Sequence, residues 1–388
     1  KIMNVLNTIA NVLRRIFTRF GRKGGESVLG VDIGPSSIKV VQLRRERGRA
    51  ILETYGELAF GPYAGLSVGQ ATNLSAEKIA EALMDLMREA NVTADRAGFS
   101  IPLASSITTV ISLPKAGEQE LKSMVPIEAR KYIPVPISET TLDFWVLPKR
   151  ESDVLEIERE AGATGDDGKN NLEQIDVLLV AIHNSVIQKY RRIAERAGLA
   201  VGFLEIETFS AIRALISGGT ATALILDMGA SSTNIAIVLN GVVYLSHLVN
   251  RGSQDITIAL SRALGVTILK AEEMKREMGL LVSEGFENKA ADTARLILGN
   301  IFTEVNRALL EYEKKQHVAV SKVILSGGGA LLKGLLPLAK ENLDTEVVQG
   351  NPFAKVETPA FLENILKEIG PSFSVAVGAA LRRLQELE

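Results

Sequence analysis

LGVDIGPSSIK at residues 29–39 and LILDMGASSTN at residues 224–234 carry one pattern, Asp-x-Gly-x-Ser-Ser behind an apolar run. The offset is constant: Asp32, Gly34, Ser36 and Ser37 return as Asp227, Gly229, Ser231 and Ser232. An apolar run that ends in Asp and Gly reads as a buried strand closing into a turn. A second strand follows each time, IKVVQL (38–43) and then residues 234–239, so the repeated unit is a strand–turn–strand hairpin. One such hairpin opens each half of the chain. A duplicated α/β domain with a cleft between its halves is the economical architecture.

The remaining elements fit that plan. A third strand is expected over residues 51–60, a helix capped by Ser75 and running to about Asn91, and strands over 107–114 and 141–147. Between those two strands a helix over 118–133 is expected to break at Pro126. Residues 149–174, charged and holding GATGDDGKNN, read as a long loop or a hairpin tip. A buried strand at 177–182 and a helix to about Ala197 follow, and AGLAVGFLEIE leads into a helix at FSAIRALI. The second half continues with a tight turn at Asn240–Gly241, a strand VVYLSHLV, a helical stretch from Gly252 to His317, strand–glycine turn–helix over 322–343, and a last helix SVAVGAALRRLQEL.

At 388 residues, 46% apolar and 23% charged, the chain suits two or more soluble domains. A net charge of −2 gives no global drive toward nucleic acid, and none is expected as a partner. With no cysteine there is no thiolate metal site or thiol nucleophile. His183, His247 and His317 lack the spacing of a metal pair. The stretch before Glu26 carries six basic residues and an apolar stripe through Ile2, Val5, Leu6, Ile9, Leu13 and Phe20, without the order of a signal peptide. Three readings fit it: a helix on an anionic membrane surface via residues 2–20, a partner-docking helix, or an extension packed nowhere in particular.

The two turns suit a phosphate. Gly34 and Gly229 let the backbone come close to a ligand, and successive N–H groups in such turns form a nest for anionic oxygens. Ser36, Ser37, Ser231, Ser232 and Thr233 add hydroxyl donors, and Lys39 reaches back as a point charge. Asp32 and Asp227 cannot bind phosphate directly; they would hold Mg²⁺, mostly through its waters. LSGGGALLKG (325–334) puts Gly327, Gly328 and Gly329 between a strand and a helix, where an adenosine could lie against bare backbone. An ordinary hairpin turn is the alternative for either Asp-Gly alone. No P-loop sequence is present.

VDIGPSSIKVV, LDMGASSTNIAIV and ILSGGGALLKG resemble the phosphate-1, phosphate-2 and adenosine motifs of the actin, sugar-kinase and heat-shock-chaperone ATPase superfamily. LEIETFSAIRAL and FSVAVGAALRRL are similar to its two connecting helices. The insert SLPKAGEQELKSMVPIEARKYIPVPISETTLDFWVL resembles the subdomain that FtsA and PilM carry, and E-A-R-K-Y-I-P with L-D-F-W-V-L resembles the PilM family of type IV pilus assembly. The resemblance implies an actin-like (ribonuclease H-like) fold with an FtsA/PilM-type insert, divided into an extension (1–26), subdomain 1A (27–96 and 184–220), inserted 1C (97–183), 2A (221–262 and 321–388) and helical 2B (263–320). It implies ATP and Mg²⁺ as cofactors, with the metal at Asp32 and Asp227, the phosphates among the turn residues with Lys39, and the adenosine at the three glycines. AEEMKREMG (271–279) is similar to the helix that contacts ribose and adenine, so Glu272 and Lys275 are candidates there; a solvated ion pair is the other reading. Pro35, lacking an N–H, is expected to weaken the first nest by one donor.

For hydrolysis a residue must orient water. Glu205 and Glu207 stand at the start of the first connecting helix, where the superfamily draws that residue; a carboxylate favoured by the helix dipole is the alternative. The expected function is an ATP-binding scaffold with slow or no hydrolysis, cytoplasmic and peripheral to the inner membrane. It would bind the N-terminal segment of a PilN-like membrane protein beside the insert, with self-association as a further contact. The Met3–Asn7 stretch is itself similar to that segment. An FtsA-like filament protein is the alternative, disfavoured by LRRLQELE, which lacks an aromatic apolar stripe; a small-molecule kinase stands third.

Overall fold

The computed structural model describes residues 26–148, 174–217, 221–280 and 286–386. The extension expected at 1–26 and the loop expected at 149–174 lie outside these but for their last residues. The first half runs β1 (Ser27–Ile33), β2 (Ser37–Glu46), β3 (Arg49–Ala59), α1 (Ala76–Glu89) and β4 (Arg96–Ile101). An insertion follows: β5 (Ser106–Pro114), α2 (Glu118–Ala129), β6 (Thr140–Val146) and β7 (Gln174–His183). The chain then returns through α3 (Asn184–Arg196) and β8 (Ala200–Ile206) to α4 (Glu207–Leu215). The second half holds β9 (Ala223–Met228), β10 (Thr233–Leu239), β11 (Val242–Val249), α5 (Ser253–Leu264), α6 (Ile268–Met278) and α7 (Phe286–Gln316). It closes with β12 (Lys322–Ser326), α8 (Leu335–Asn342), β13 (Glu346–Gln349), α9 (Glu363–Ile369) and α10 (Ser374–Gln385).

The duplication expected from the hairpins is complete at the level of topology. One sheet is ordered β3-β2-β1-β4-β8 and the other β11-β10-β9-β12-β13. In each, three antiparallel strands are extended by two parallel ones on the far side of the first. Each of the four parallel pairs needs a crossover connection, and the insertion with α3 supplies the one between β4 and β8. Ser75 caps α1 as expected, accepting the Lys78 N–H. Ile79, Ala80, Leu83 and Leu86 of that helix then pack on Val31, Val40 and Phe99.

The insertion is its own antiparallel sheet, ordered β5-β7-β6, with Leu121, Val125 and Ala129 of α2 on Ile111, Val177 and Leu179. Here one expectation is corrected. Pro126 does not break the helix; α2 carries it in its last turn and stops at Ala129. The lost N–H and the ring clash fall where only one more turn is needed, and the buried Val125 and Ala129 hold that turn in place.

α4 and α10 lie between the two sheets. Ile212 and Phe209 of α4 face Ile225, Ala236 and Val238 of the second sheet, while Ala376, Val377 and Ala380 of α10 face Val28, Val41 and Leu43 of the first. The helices cross in direct backbone contact: a Cβ on Gly378 would lie 1.8 Å from the Ser210 carbonyl oxygen. At the end of the sheets away from the Asp-Gly turns, an open groove of about 1260 Å³ separates the two hairpin tips, Gly48–Arg49 and Asn240–Gly241. Arg45, Lys355, Ile212 and Leu381 line it.

Gly378→Ala is therefore expected to cost more than about 3 kcal/mol, beyond the usual range for overpacking, because the atom it meets is backbone. Gly299→Ala, in α7 with nothing within 4 Å of the added carbon, is expected to gain up to about 1 kcal/mol from helix propensity. Urea unfolding of the two variants measures both; equal stabilities would refute the crossing contact.

Candidate functional site

The two repeated turns are closed by the same bond. The Gly34 N–H donates to the Ser37 carbonyl at 3.0 Å, and the Gly229 N–H to the Ser232 carbonyl at 2.9 Å. Across the hairpins Asp32 pairs with Lys39, and Asp227 with Asn234. On the parallel side each aspartate has a serine neighbour, Ser100 and Ser326. The duplicated sequence thus builds two duplicated sites.

They face one cavity of about 410 Å³ between the halves. From the first half come Asp32, Gly34, Ser36, Ser37 and Lys39. The second half contributes Asp227, Gly229, Glu272, Lys275 and the three glycines 327–329, and Glu207 joins from the start of α4. The glycine turn crosses directly over the second aspartate: a Cβ on Gly327 would sit 2.4 Å from an Asp227 carboxylate oxygen. Gly328 has nothing within 4 Å, so its backbone is open. Such a cradle fits a flat group laid against main chain. Pro35, which has no N–H to donate, accepts the Thr72 N–H on its carbonyl at 2.8 Å.

Ser231 and Ser232 line a second chamber of about 380 Å³, which meets the first at Gly34, Pro35, Glu207, Asp227 and Gly229. Two candidates are not part of either space. Thr233, the first residue of β10, is buried with its hydroxyl donated to the Arg251 carbonyl at 2.8 Å, away from both spaces. Glu205 is the clearer correction. It accepts from Ser210 (2.6 Å), from both Arg213 terminal nitrogens (2.6 and 3.1 Å) and from Arg382 (2.7 Å). That cluster joins β8, α4 and α10; its carboxylate is a clamp between the connecting helices and has no lone pair to spare for water.

Glu207, two residues on, is the opposite case. It is half-buried and accepts from the Leu103 N–H at 2.8 Å and the Asn234 amide at 2.6 Å. Burial, then the charge of Asp227, push it up to about 8. Burial and the charge of Asp32 likewise push Asp227 up to about 7, and burial raises Asp32 against the pull of Lys39. Asp32 and Asp227, both held above the ordinary carboxylate range, are groups whose ionisation a divalent cation in the cavity would favour. No caging group of three or more metal-ligating side chains occurs among the described residues, so a cation here would keep much of its water, as Mg²⁺ does.

Glu272 and Lys275 do not make a solvated pair. Their ends meet at 2.7 Å with both side chains buried, and the Thr257 hydroxyl donates to Glu272 at 2.7 Å. Burial lowers Lys275. Burial works to raise Glu272, yet the charge of Lys275 and the hydrogen bonds around it hold the carboxyl below its usual range. Among the residues of this cavity region that were not candidates are Arg276 and Asn234. Arg276 lines the cavity and donates to Glu272 at 2.7 Å; its place one turn after Glu272 was the available signal. Asn234 is buried with its Oδ1 unpartnered in the second chamber. It is the counterpart of Lys39 at the same offset as the two aspartates, so the repeat itself pointed to it.

A further groove of about 890 Å³ runs between the inserted sheet and β8. Trp145, Val180, Phe203 and Phe209 line it, with Val242 and Val243 reaching in from the second half. Trp145 and Phe209 meet at a tilt of 47° with ring centroids 5.6 Å apart, and Arg382 lies over the Phe203 ring at 4.2 Å. Among the described residues no helix is long and apolar enough to cross a membrane.

The model of the family described as type IV pilus assembly protein PilM matches residues 30–384. In the solved PilM-PilN type IV pilus biogenesis complex one chain is 26% identical, with a TM-score of 0.75 over 92% of this chain and 98% of that one. The ethanolamine utilization protein EutJ of Carboxydothermus hydrogenoformans shares the fold at 14% identity and a TM-score of 0.52, covering 92% and 89%. The cell division protein FtsA of Neisseria meningitidis serogroup B is 21% identical over 342 residues, 78% of this chain and 80% of that protein. FtsA of Streptococcus pneumoniae serotype 2 is 26% identical over 184 residues, 42% of this chain, which spans only 40% of that protein's length. The expected duplicated actin-like fold is borne out.

Glu207 also gives a pH signature. Unfolded, it ionises in the ordinary carboxylate range; folded, it keeps its proton up to about pH 8. Its contribution to stability is full below the ordinary range and is lost as pH rises through about 8. The melting temperature of the nucleotide-free protein is expected to fall less from about pH 6 to about pH 9 in Glu207→Gln than in wild type. Parallel slopes in thermal scans would contradict the assignment.

Proposed function

The chain belongs to the type IV pilus assembly protein PilM family, and on that premise we propose that it is an ATP-binding actin-like platform of the pilus inner-membrane assembly. The observation that carries the nucleotide reading is the single cavity in which both Asp-Gly turns and the glycine turn meet. Asp32 and Asp227 would hold hydrated Mg²⁺, which would offset phosphate charge. Gly34, Ser36, Ser37, Lys39 and Gly229 would take the phosphates, with Ser231 and Ser232 behind them. Gly327, Gly328 and Gly329 would bear the adenosine, and Glu272, Lys275 and Arg276 its ribose and base. Glu207, steadied by Asn234, is the residue in place to orient a water, and turnover is expected to be slow.

The partner is the N-terminal segment of a PilN-like membrane protein, seated in the groove between the inserted sheet and β8. The solved complex of a relative with PilN supports this, as does the apolar lining around Trp145. The basic, apolar-striped sequence of residues 2–20 would hold the protein against the cytoplasmic face of the inner membrane. Closure of the halves on nucleotide would alter the groove, since Val242 and Val243 enter it from the second half. A self-associating filament protein of the FtsA type is the second reading, favoured by the long match to Neisseria FtsA.

Trp145 is the chain's one tryptophan, so its emission reports on the groove directly. A peptide of the PilN terminus is expected to shift that emission, and Asp227→Ala to weaken Mg-ATP binding tenfold or more, about 1.4 kcal/mol. Unchanged emission with no peptide bound would sink the platform, and ATP-dependent sedimenting polymer would favour the filament.

A further inference from the structure

We propose that residues 65–72 form a strap that fastens the two halves across the cleft, with Gln254 and Gly69 as the positioning residues that set how fast nucleotide enters and leaves. The proposal rests on the nucleotide reading of the cavity. The strap's root is fixed in the first half: the Leu66 N–H donates to the Gly61 carbonyl at 2.8 Å, and the Tyr63 hydroxyl to Asp85 at 2.7 Å. Its far end is pinned to the first phosphate turn, where the Thr72 N–H and hydroxyl both reach the Pro35 carbonyl, at 2.8 and 3.2 Å.

Between root and end the strap touches the other half twice. The Ala71 N–H donates to the Gln254 side-chain oxygen at 2.9 Å. The Gln254 N–H in turn donates to the carbonyl of Ala230, inside the second phosphate turn, also at 2.9 Å. Pro35 and Ala230 occupy the same place in the repeat. A short run of hydrogen bonds, with Gln254 as its middle member, therefore leads from one turn to the other. The second contact is steric. Gly69 has a φ of +88° and lies so close to Glu272 that a Cβ would meet its carboxyl carbon at 2.6 Å. Both residues line the cavity.

Separating the halves far enough to admit a nucleoside triphosphate breaks the Ala71–Gln254 bond and lifts Gly69 off Glu272. Gln254 itself does not line the cavity, so its loss leaves the nucleotide's own contacts in place. The strap resists opening with or without nucleotide. It slows entry and exit together and leaves affinity nearly alone, a combination that a direct ligand contact does not give.

Stopped-flow binding of a fluorescent ATP analogue to the full chain tests this. Gln254→Ala is expected to speed association and dissociation each by roughly fivefold, the factor for one neutral hydrogen bond, with the dissociation constant changed less than twofold. Gly69→Ala, strained in backbone and blocked by Glu272, is expected to speed both steps as well, but with weakened affinity, because the added carbon displaces Glu272 in the cavity wall. Wild-type rates in Gln254→Ala overturn the proposal, and so does a change confined to dissociation, which would make Gln254 a ligand contact. Failure of the wild-type protein to bind the analogue overturns the nucleotide reading instead, and the strap's role with it.

Discussion

Asp32 and Asp227 stand at the ends of equivalent strands, the first buried and the second half-buried, and the charge of Asp32 adds to the resistance of Asp227 to ionisation. Placing two such carboxyls side by side is costly in the bare protein, and the surrounding structure is arranged to bear that cost. Lys39 sits opposite the first across its hairpin; Ser326 donates to the second. Glu207 adds a carboxyl that burial and the charge of Asp227 push above its ordinary range. On the proposed nucleotide reading, a hydrated cation with its anion would relieve that cost and favour the closed arrangement. The sheets, the crossing helices and the strap all serve to hold those few oxygens near one another.

The turn chemistry was legible in the sequence because it is local. An Asp-Gly pair behind an apolar run states its own geometry, and repetition at a fixed offset extends that geometry to the whole molecule. Three strands were not foreseen: β4, β8 and β13. The first two carry glycines, Gly98 and Gly202, which weaken any strand signal, and Gly98 is there because the Phe203 ring would lie 2.2 Å from a Cβ. That reason is a contact across more than a hundred residues, invisible to a local pattern. β13 is only four residues long.

The same limit explains the pair Glu205 and Glu207. By sequence they are twins two residues apart, yet β8 ends at Ile206 between them, so strand alternation no longer relates their directions. One falls among Arg213 and Arg382 and the other beside Asp227. The arginines that decide this come from α4 and from the end of the chain. Breaking such a buried, hydrogen-bonded cluster by removing one partner leaves uncompensated charge, which is why Glu205 reads as a structural clamp. It also lies in the wall of the groove beside the insert, so the clamp, the groove and the cavity are separated by a single turn of chain.

Because Gly378 puts no side chain between α4 and α10, the helices bear on one another as a knife-edge fulcrum. The sheets they carry extend to both sides of it. Strands of seven to ten residues span roughly 20–30 Å from Asp-Gly turn to hairpin tip. A tilt of a few degrees then moves the two ends of each lever in opposite senses. Whatever pinches the turns together must spread the tips that flank Arg45 and Lys355, and a wedge lodged between those tips would be felt at the aspartates without touching them.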